Sequence, residues 1–190
     1  MTSAHPPEPD PSDLRDLLAK QEIHEVVLRY CRGIDRLDLD LVRSCYHPDG
    51  IDHHTGFDGT VDEYIAWVGP KLESLGGTMH FVGNHLVELL GDVAISETYA
   101  TNVHWGHPRR GDFTSGARFV DLMERRDGRW AIAERWAVRE WTRSDEGRMI
   151  APEDRGPRGT RGGEDLLDTL RARLQRRAAP SSARRSAAGA

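Results

Sequence analysis

The sequence predicts an α+β domain in which helices pack on one face of a curved antiparallel sheet. Up to Arg143, helical spacing of apolar residues is confined to the stretch before Gly77. After it come four long segments rich in β-formers, separated by turn sequences. Helices first and a meander of strands second is an α+β layout.

The first helix is read from Ile23, Val26, Val27, Tyr30, Cys31 and Ile34, which recur at three- and four-residue steps and make one apolar face. Ser12 or Asp13 is the expected N-cap, and Gly33 lies near the end. A shorter helix fits Asp38 to Tyr46 and closes at the turn sequence HPDG. A third fits Val61 to Leu75, where Thr60 and Glu63 form a capping box and Pro70 should kink or divide the helix. The four long strands are Thr78–Leu90, Val93–His107, Phe113–Arg125 and Arg129–Arg143, with a short strand at Ile51–His54. Gly91-Asp92, the Pro108–Asp112 stretch and Asp127-Gly128 are the hairpin turns.

The chain has 190 residues, which suits one domain with tails. Residues 1–12 are Pro-rich and acidic and read as a disordered arm; 13–143 form the domain; 144–190 read as a flexible tail. Within that tail Leu166, Leu167, Leu170 and Leu174 allow a short helix over 164–177, followed by an Arg-rich end. A hydrophobic content of 37% permits a true core, while 30% charged residues and a mean hydropathy of -0.62 argue against a membrane protein. A net charge of -5 argues against a nucleic-acid binder. The N-terminus has no secretory signal pattern, and the two cysteines, Cys31 and Cys45, form neither a disulfide framework nor a zinc spacing. A reducing cytoplasm is the expected setting.

Several polar residues fall where chemistry could sit. Asp35 follows Cys31 by four residues, so it shares the buried side of the first helix near its C-terminus, where the helix dipole disfavours a carboxylate. It is either a partnered buried acid or a helix-ending residue facing water. His80 opens the first long strand, and plain alternation puts it on one face with Val82, Asn84 and Leu86. A strand histidine is usually a core or rim residue, and a carboxylate partner is what would make it a base. Arg139, on the last strand, follows a face with Ala131, Ala133, Arg135 and Ala137, opposite Trp130, Ile132, Trp136 and Val138. It either projects into a pocket or pairs with Glu134 or Glu140 at the surface. Tyr30 and His104 are further pocket candidates, and Tyr46, Tyr64 and Trp105 could line a cavity or simply fill the core.

Nine histidines raise the question of a metal. His53 and His54 are adjacent, His80 and His85 five apart, and by strand alternation neither pair shares a face. No HxH or HExxH pattern occurs, so no metal is expected. GxGxxG, P-loop and GxSxG motifs are also absent, so no nucleotide cofactor or serine nucleophile is indicated.

From Leu17 to Arg143 the sequence resembles the SnoaL-like branch of the nuclear-transport-factor-2-like superfamily. The resemblance rests on Gln21-Glu22-Ile23 through Tyr30, Gly33-Ile34-Asp35, Thr78-Met79-His80, and Asp127-Gly128-Arg129-Trp130 with Arg139. It implies a cone-shaped barrel of strongly bent antiparallel sheet closed by three N-terminal helices. Within the branch the pattern is similar to cofactor-free lyases of the bile-acid 7α-dehydratase, scytalone dehydratase and hexachlorocyclohexane dehydrochlorinase kinds. By that resemblance Asp35 and His80 form a catalytic pair, with Tyr30 and Arg139 beside them and His104 as a second pocket histidine. Asn84-His85 and the tail beyond Arg143 are not part of the pattern, which leaves the substrate open.

The expected function is a cofactor-independent lyase, a dehydratase, acting on a small hydrophobic, polycyclic or polyketide-like carbonyl compound. The alternatives are an isomerase or cyclase on the same scaffold, and a non-catalytic domain that holds a small ligand. A homo-oligomer, dimer or trimer, is expected in each case.

Overall fold

The computed structural model describes residues 10–106 and 111–145. The expected helix at 164–177 and the Arg-rich tail lie outside the described residues. Among the described residues three helices and six strands follow one another: α1 (Pro11–Arg36), α2 (Leu39–Ser44), β1 (Tyr46–His54), β2 (Phe57–Thr60), α3 (Val61–Glu73), β3 (Gly77–Leu90), β4 (Val93–Trp105), β5 (Asp112–Arg126) and β6 (Arg129–Asp145).

Helix α1 starts earlier than its spacing suggests. Asp10 is the N-cap, its carboxylate accepting from the Ser12 amide at 2.8 Å, and Pro11 occupies the first turn, where its missing N–H costs nothing. The last two residues of the expected arm therefore belong to the helix. At the other end Leu37 adopts a left-handed conformation (φ 56°), and the Asp38 amide returns to the Gly33 carbonyl at 2.8 Å. Gly33 is required for a different reason: a Cβ there would lie 2.6 Å from Val42 Cγ2, so α2 could not pack so closely. Helix α2 is capped by Asp38 and stops at Ser44, so Tyr46 and the HPDG sequence enter β1 rather than closing a helix. Helix α3 carries the full Thr60–Glu63 capping box and runs undivided through Pro70 to Glu73.

The strands form one sheet in the order β2-β1-β6-β5-β4-β3. The α+β cone class holds, with two differences from the expectation. The sheet is open rather than a closed barrel, and β1 runs parallel to β6 while all other pairs are antiparallel. A parallel pair needs a long crossover, and here β2, α3 and the β3–β5 meander supply it.

Bulges decide which side chains face the helices. In β3, Val82 pairs with Ala100 and His85 with Thr98, so Gly83 and Asn84 together oppose one residue. The alternation resets there: Asn84 and Leu86 face outward, while His85 joins His80 on the inner side. His85 meets His24 of α1 (Nδ1···Nδ1 3.0 Å) and Ser96 (Nε2···Oγ 2.9 Å). Strand β6 carries two such resets, at Ala133 and at Glu140. Trp130 and Ile132 therefore lie in the core, not opposite Arg135 and Ala137 as plain alternation required.

The core joins Ile23, Val26, Val27, Tyr30 and Ile34 of α1 to Val42, Val61, Tyr64, Phe119, Met123 and Ile132. At its centre lies Arg135, fully buried, with Nε and Nη2 each 2.7 Å from the carboxylate of Asp121. Its guanidinium lies 4.0 Å from the ring centroid of Tyr30 and 4.6 Å from that of Phe119. Cys31 and Cys45 are buried free thiols, and burial pushes the Cys31 thiol up to about 12. Among the described residues no helix is long and apolar enough to cross a membrane.

Candidate active site

The last turn of α1 presents Asp35 to the start of β3. One carboxylate oxygen, Oδ1, lies 2.7 Å from His80 Nδ1 and accepts from the Thr78 hydroxyl at 3.0 Å. The other, Oδ2, accepts from the His80 backbone amide at 2.9 Å. Three partners thus compensate a buried acid at an unfavourable helix end. With Asp35 on Nδ1, the imidazole is held with Nε2 as the free ring nitrogen, the arrangement that suits a general base.

His80 lies in the wall of an inner cavity of about 100 Å³. Of the residues singled out in the sequence, Tyr30, Tyr64, His104 and Arg139 line the same cavity. Tyr46 and Trp105 do not. Tyr46 is buried beneath the site, and the Trp105 ring lies over Gly77, whose Cβ position would be 2.3 Å from it. Arg139 is exposed at the cavity edge, its Nη1 3.3 Å from the Thr142 hydroxyl, whereas Glu140 pairs with Arg118 and Glu134 with His53.

The tyrosines form a pair, with hydroxyl oxygens 2.6 Å apart. Burial raises both phenols above their ordinary range, so both stay protonated; one hydroxyl donates to the other, whose own proton is left to donate. His104 stacks on Phe113 (centroids 4.3 Å apart, rings 7° from parallel), and its ring stands 6.3 Å from that of His80. Burial, then the nearness of His80 and Arg139, hold it down at about 4, so it is neutral near pH 7. Its Nδ1, the Asn102 Oδ1 and the Ser115 Oγ are buried without a hydrogen-bond partner, and all three residues line the cavity. Unsatisfied polar atoms converging on a cavity are suited to fix a bound molecule.

A second histidine–carboxylate pair reaches the same cavity. His54 of β1 is in its wall, and His54 Nδ1 is bonded to Asp52 Oδ1. Asp52 is fully buried, its Oδ2 accepting from the Tyr46 hydroxyl at 2.5 Å. The His54 ring stacks on Tyr64, 4.8 Å between centroids. The sequence signal for this pair is Asp-x-His on a strand, since residues two apart share a face. Asn102 and Ser115 had no sequence signal beyond being polar residues within apolar strands. Among the described residues no group of three or more His, Cys, Asp or Glu side chains is placed to hold a metal ion.

No functionally curated protein matches the sequence. Several solved structures share the fold. A candidate scytalone dehydratase from Novosphingobium aromaticivorans is 17% identical with a TM-score of 0.63, covering 74% of this chain and 97% of its own. The type-3 hexachlorocyclohexane dehydrochlorinase LinA of Novosphingobium barchaimii is 16% identical with a TM-score of 0.66, covering 74% and 99%. A candidate aromatic ring hydroxylase from Novosphingobium aromaticivorans is 18% identical with a TM-score of 0.57, covering 66% and 91%. At such identities the likeness is one of fold. The SnoaL-like domain family matches residues 15–136, most of the described chain, and the protein belongs to that SnoaL-like branch of the nuclear-transport-factor-2-like superfamily.

Proposed function

We propose that this protein is a cofactor-independent lyase that removes water from a small β-hydroxy carbonyl compound. The observation that carries the reading is the Asp35–His80 pair, with the histidine in a cavity wall and the carboxylate behind it. His80 Nε2 takes the proton from the carbon next to the carbonyl, and Asp35 orients the ring and stabilises the imidazolium that forms. The Tyr30–Tyr64 hydroxyl pair donates to the developing enolate oxygen. Arg139, exposed at the cavity edge, binds an anionic or strongly polar group of the substrate. Fold relatives named as a dehydratase candidate and a dehydrochlorinase support elimination as the reaction class.

The inner cavity is small and apolar on several sides, with Ile34, Val68, Leu72 and Phe119 among its walls. It suits one compact ring carrying the reacting carbonyl. The outer sheet face exposes Met79, Phe81, Tyr99 and Trp141, and association of subunits would cover this apolar surface.

The test is a screen of cyclic β-hydroxy ketones for loss of water, beginning with 3-hydroxycyclohexanone and followed by absorbance of the enone. Enzyme-dependent enone formation that His80→Gln abolishes is the expected result. Conversion to an isomer of unchanged mass would move the reading to an isomerase using the same base. Binding without any conversion, equal in wild type and His80→Gln, would leave a ligand-binding domain.

A further inference from the structure

The lyase reading needs a proton donor as well as a base, because hydroxide is a poor leaving group at neutral pH. We infer that His54, held by Asp52, is the general acid that protonates the departing hydroxyl. The inference rests on the lyase reading of His80.

The two pairs are built alike and approach from opposite sides. Each histidine gives Nδ1 to an aspartate Oδ1, which leaves Nε2 for the substrate. His80 is on β3, at one edge of the sheet, and His54 on β1, one strand in from the other edge, yet both side chains line one cavity. An elimination uses groups so disposed, one at the C–H bond and one at the C–O bond. Of the cavity's other titratable groups, the tyrosine pair serves the enolate oxygen, Arg139 stands at the exposed edge and His104 is neutral near pH 7. His54 has a fully buried carboxylate bonded to Nδ1, which fixes the ring and leaves Nε2 as the nitrogen that can serve the leaving oxygen. The Tyr46 hydroxyl on the far oxygen of Asp52 fixes that carboxylate in turn.

A larger groove of about 580 Å³ lies outside the sheet end, and it shares His54 and Ala137 with the inner cavity. His54 therefore stands at the partition between the two. A hydroxyl protonated there is released at the side that adjoins the groove.

The step balances. His80 Nε2 accepts the proton from the α-carbon. The electron pair of that bond becomes the C=C bond by way of the enolate. The C–O bond breaks with its pair on oxygen, which takes the proton of His54 Nε2 and leaves as water. His80 has gained one proton, His54 has lost one, and nothing is oxidised or reduced.

The experiment compares two leaving groups at one carbon. 3-Hydroxycyclohexanone and 3-chlorocyclohexanone both give 2-cyclohexenone, but chloride leaves without protonation. For His54→Gln the expected result is a loss on the order of 100-fold with the hydroxy ketone. Turnover of the chloro ketone should stay within about threefold, because only the base step is needed there. Asp52→Asn, which keeps volume and a Tyr46 contact, should show the same selective loss to a smaller degree. Equal losses on both ketones in both variants, or no loss on either, would overturn the assignment while leaving the lyase reading intact, provided His80→Gln abolishes both reactions. If His80→Gln changes neither, or the wild type accelerates neither, the lyase reading itself fails and this inference with it.

Discussion

One carboxylate holds His80 in two places: Asp35 Oδ1 is 2.7 Å from the ring Nδ1, and Asp35 Oδ2 accepts the backbone amide at 2.9 Å. An asparagine cannot reproduce both contacts, since one of its two terminal atoms is a donor. Asp35→Asn should therefore lower stability by about 1–3 kcal/mol in urea unfolding. It should also reduce 3-chlorocyclohexanone turnover on the order of 100-fold. His80→Gln should lose about 10²–10⁴-fold in the same assay. Unchanged turnover in both variants would remove the pair from the mechanism.

Acid should weaken the fold through His104. Its folded value, about 4, lies below the ordinary 6.5, so between those values the unfolded chain binds the extra proton. Stability is then full above about pH 6.5 and falls as the pH drops toward 4. His104→Phe keeps a stacking ring against Phe113 and removes this contribution. Chemical denaturation at pH 7 and pH 4.5 should show the wild type losing about 1–3 kcal/mol more than the variant across that interval. A parallel loss in both proteins would assign the acid sensitivity elsewhere.

The Arg135–Asp121 pair should behave as a buried ion pair does when one member is removed. Asp121→Asn leaves a guanidinium charge without compensation beneath Tyr30. The expected cost is about 3–5 kcal/mol in guanidinium unfolding. A cost below about 1 kcal/mol would mean that water reaches the site.

Gly33 sets how closely α2 packs on the end of α1 that carries Asp35. Gly33→Ala should cost about 1–3 kcal/mol, because the new methyl meets Val42 Cγ2 at 2.6 Å. Val42→Ala in the same chain should recover part of that loss, read as a coupling energy in a double-mutant cycle. Purely additive effects would locate the strain in the Asp38 carbonyl and Val42 amide, each 3.0 Å away.

The helices and the long strands were legible because each is written in local pattern: the α1 stripe, the Thr60–Glu63 box and the glycine turns. Asp35 was not legible from its own surroundings. Its three partners, Thr78 and the ring and amide of His80, lie more than forty residues away, so burial and exposure read equally well until the family resemblance joined the two segments. The facing of Asn84, Leu86, Trp130 and Ile132 failed for a related reason. A bulge is fixed by what the neighbouring strand does, and alternation along one strand does not contain it. The parallel β1–β6 pairing, which delivers His54 to the cavity, is likewise a contact between distant segments.

The reset in β3 also bears on how this domain can vary in length. Gly83 and Asn84 share one partner position, so deleting Asn84 would restore a plain ladder and leave every other side chain on the side it already faces. A deletion at Glu88 would instead turn the last residues of the strand inside out. One-residue gaps among related chains should therefore gather at positions 83–84. The strand behaves as two joined blocks, each tied to α1, one through His80 and Asp35 and the other through His85 and His24, and a length change at their junction leaves the facing of both unchanged.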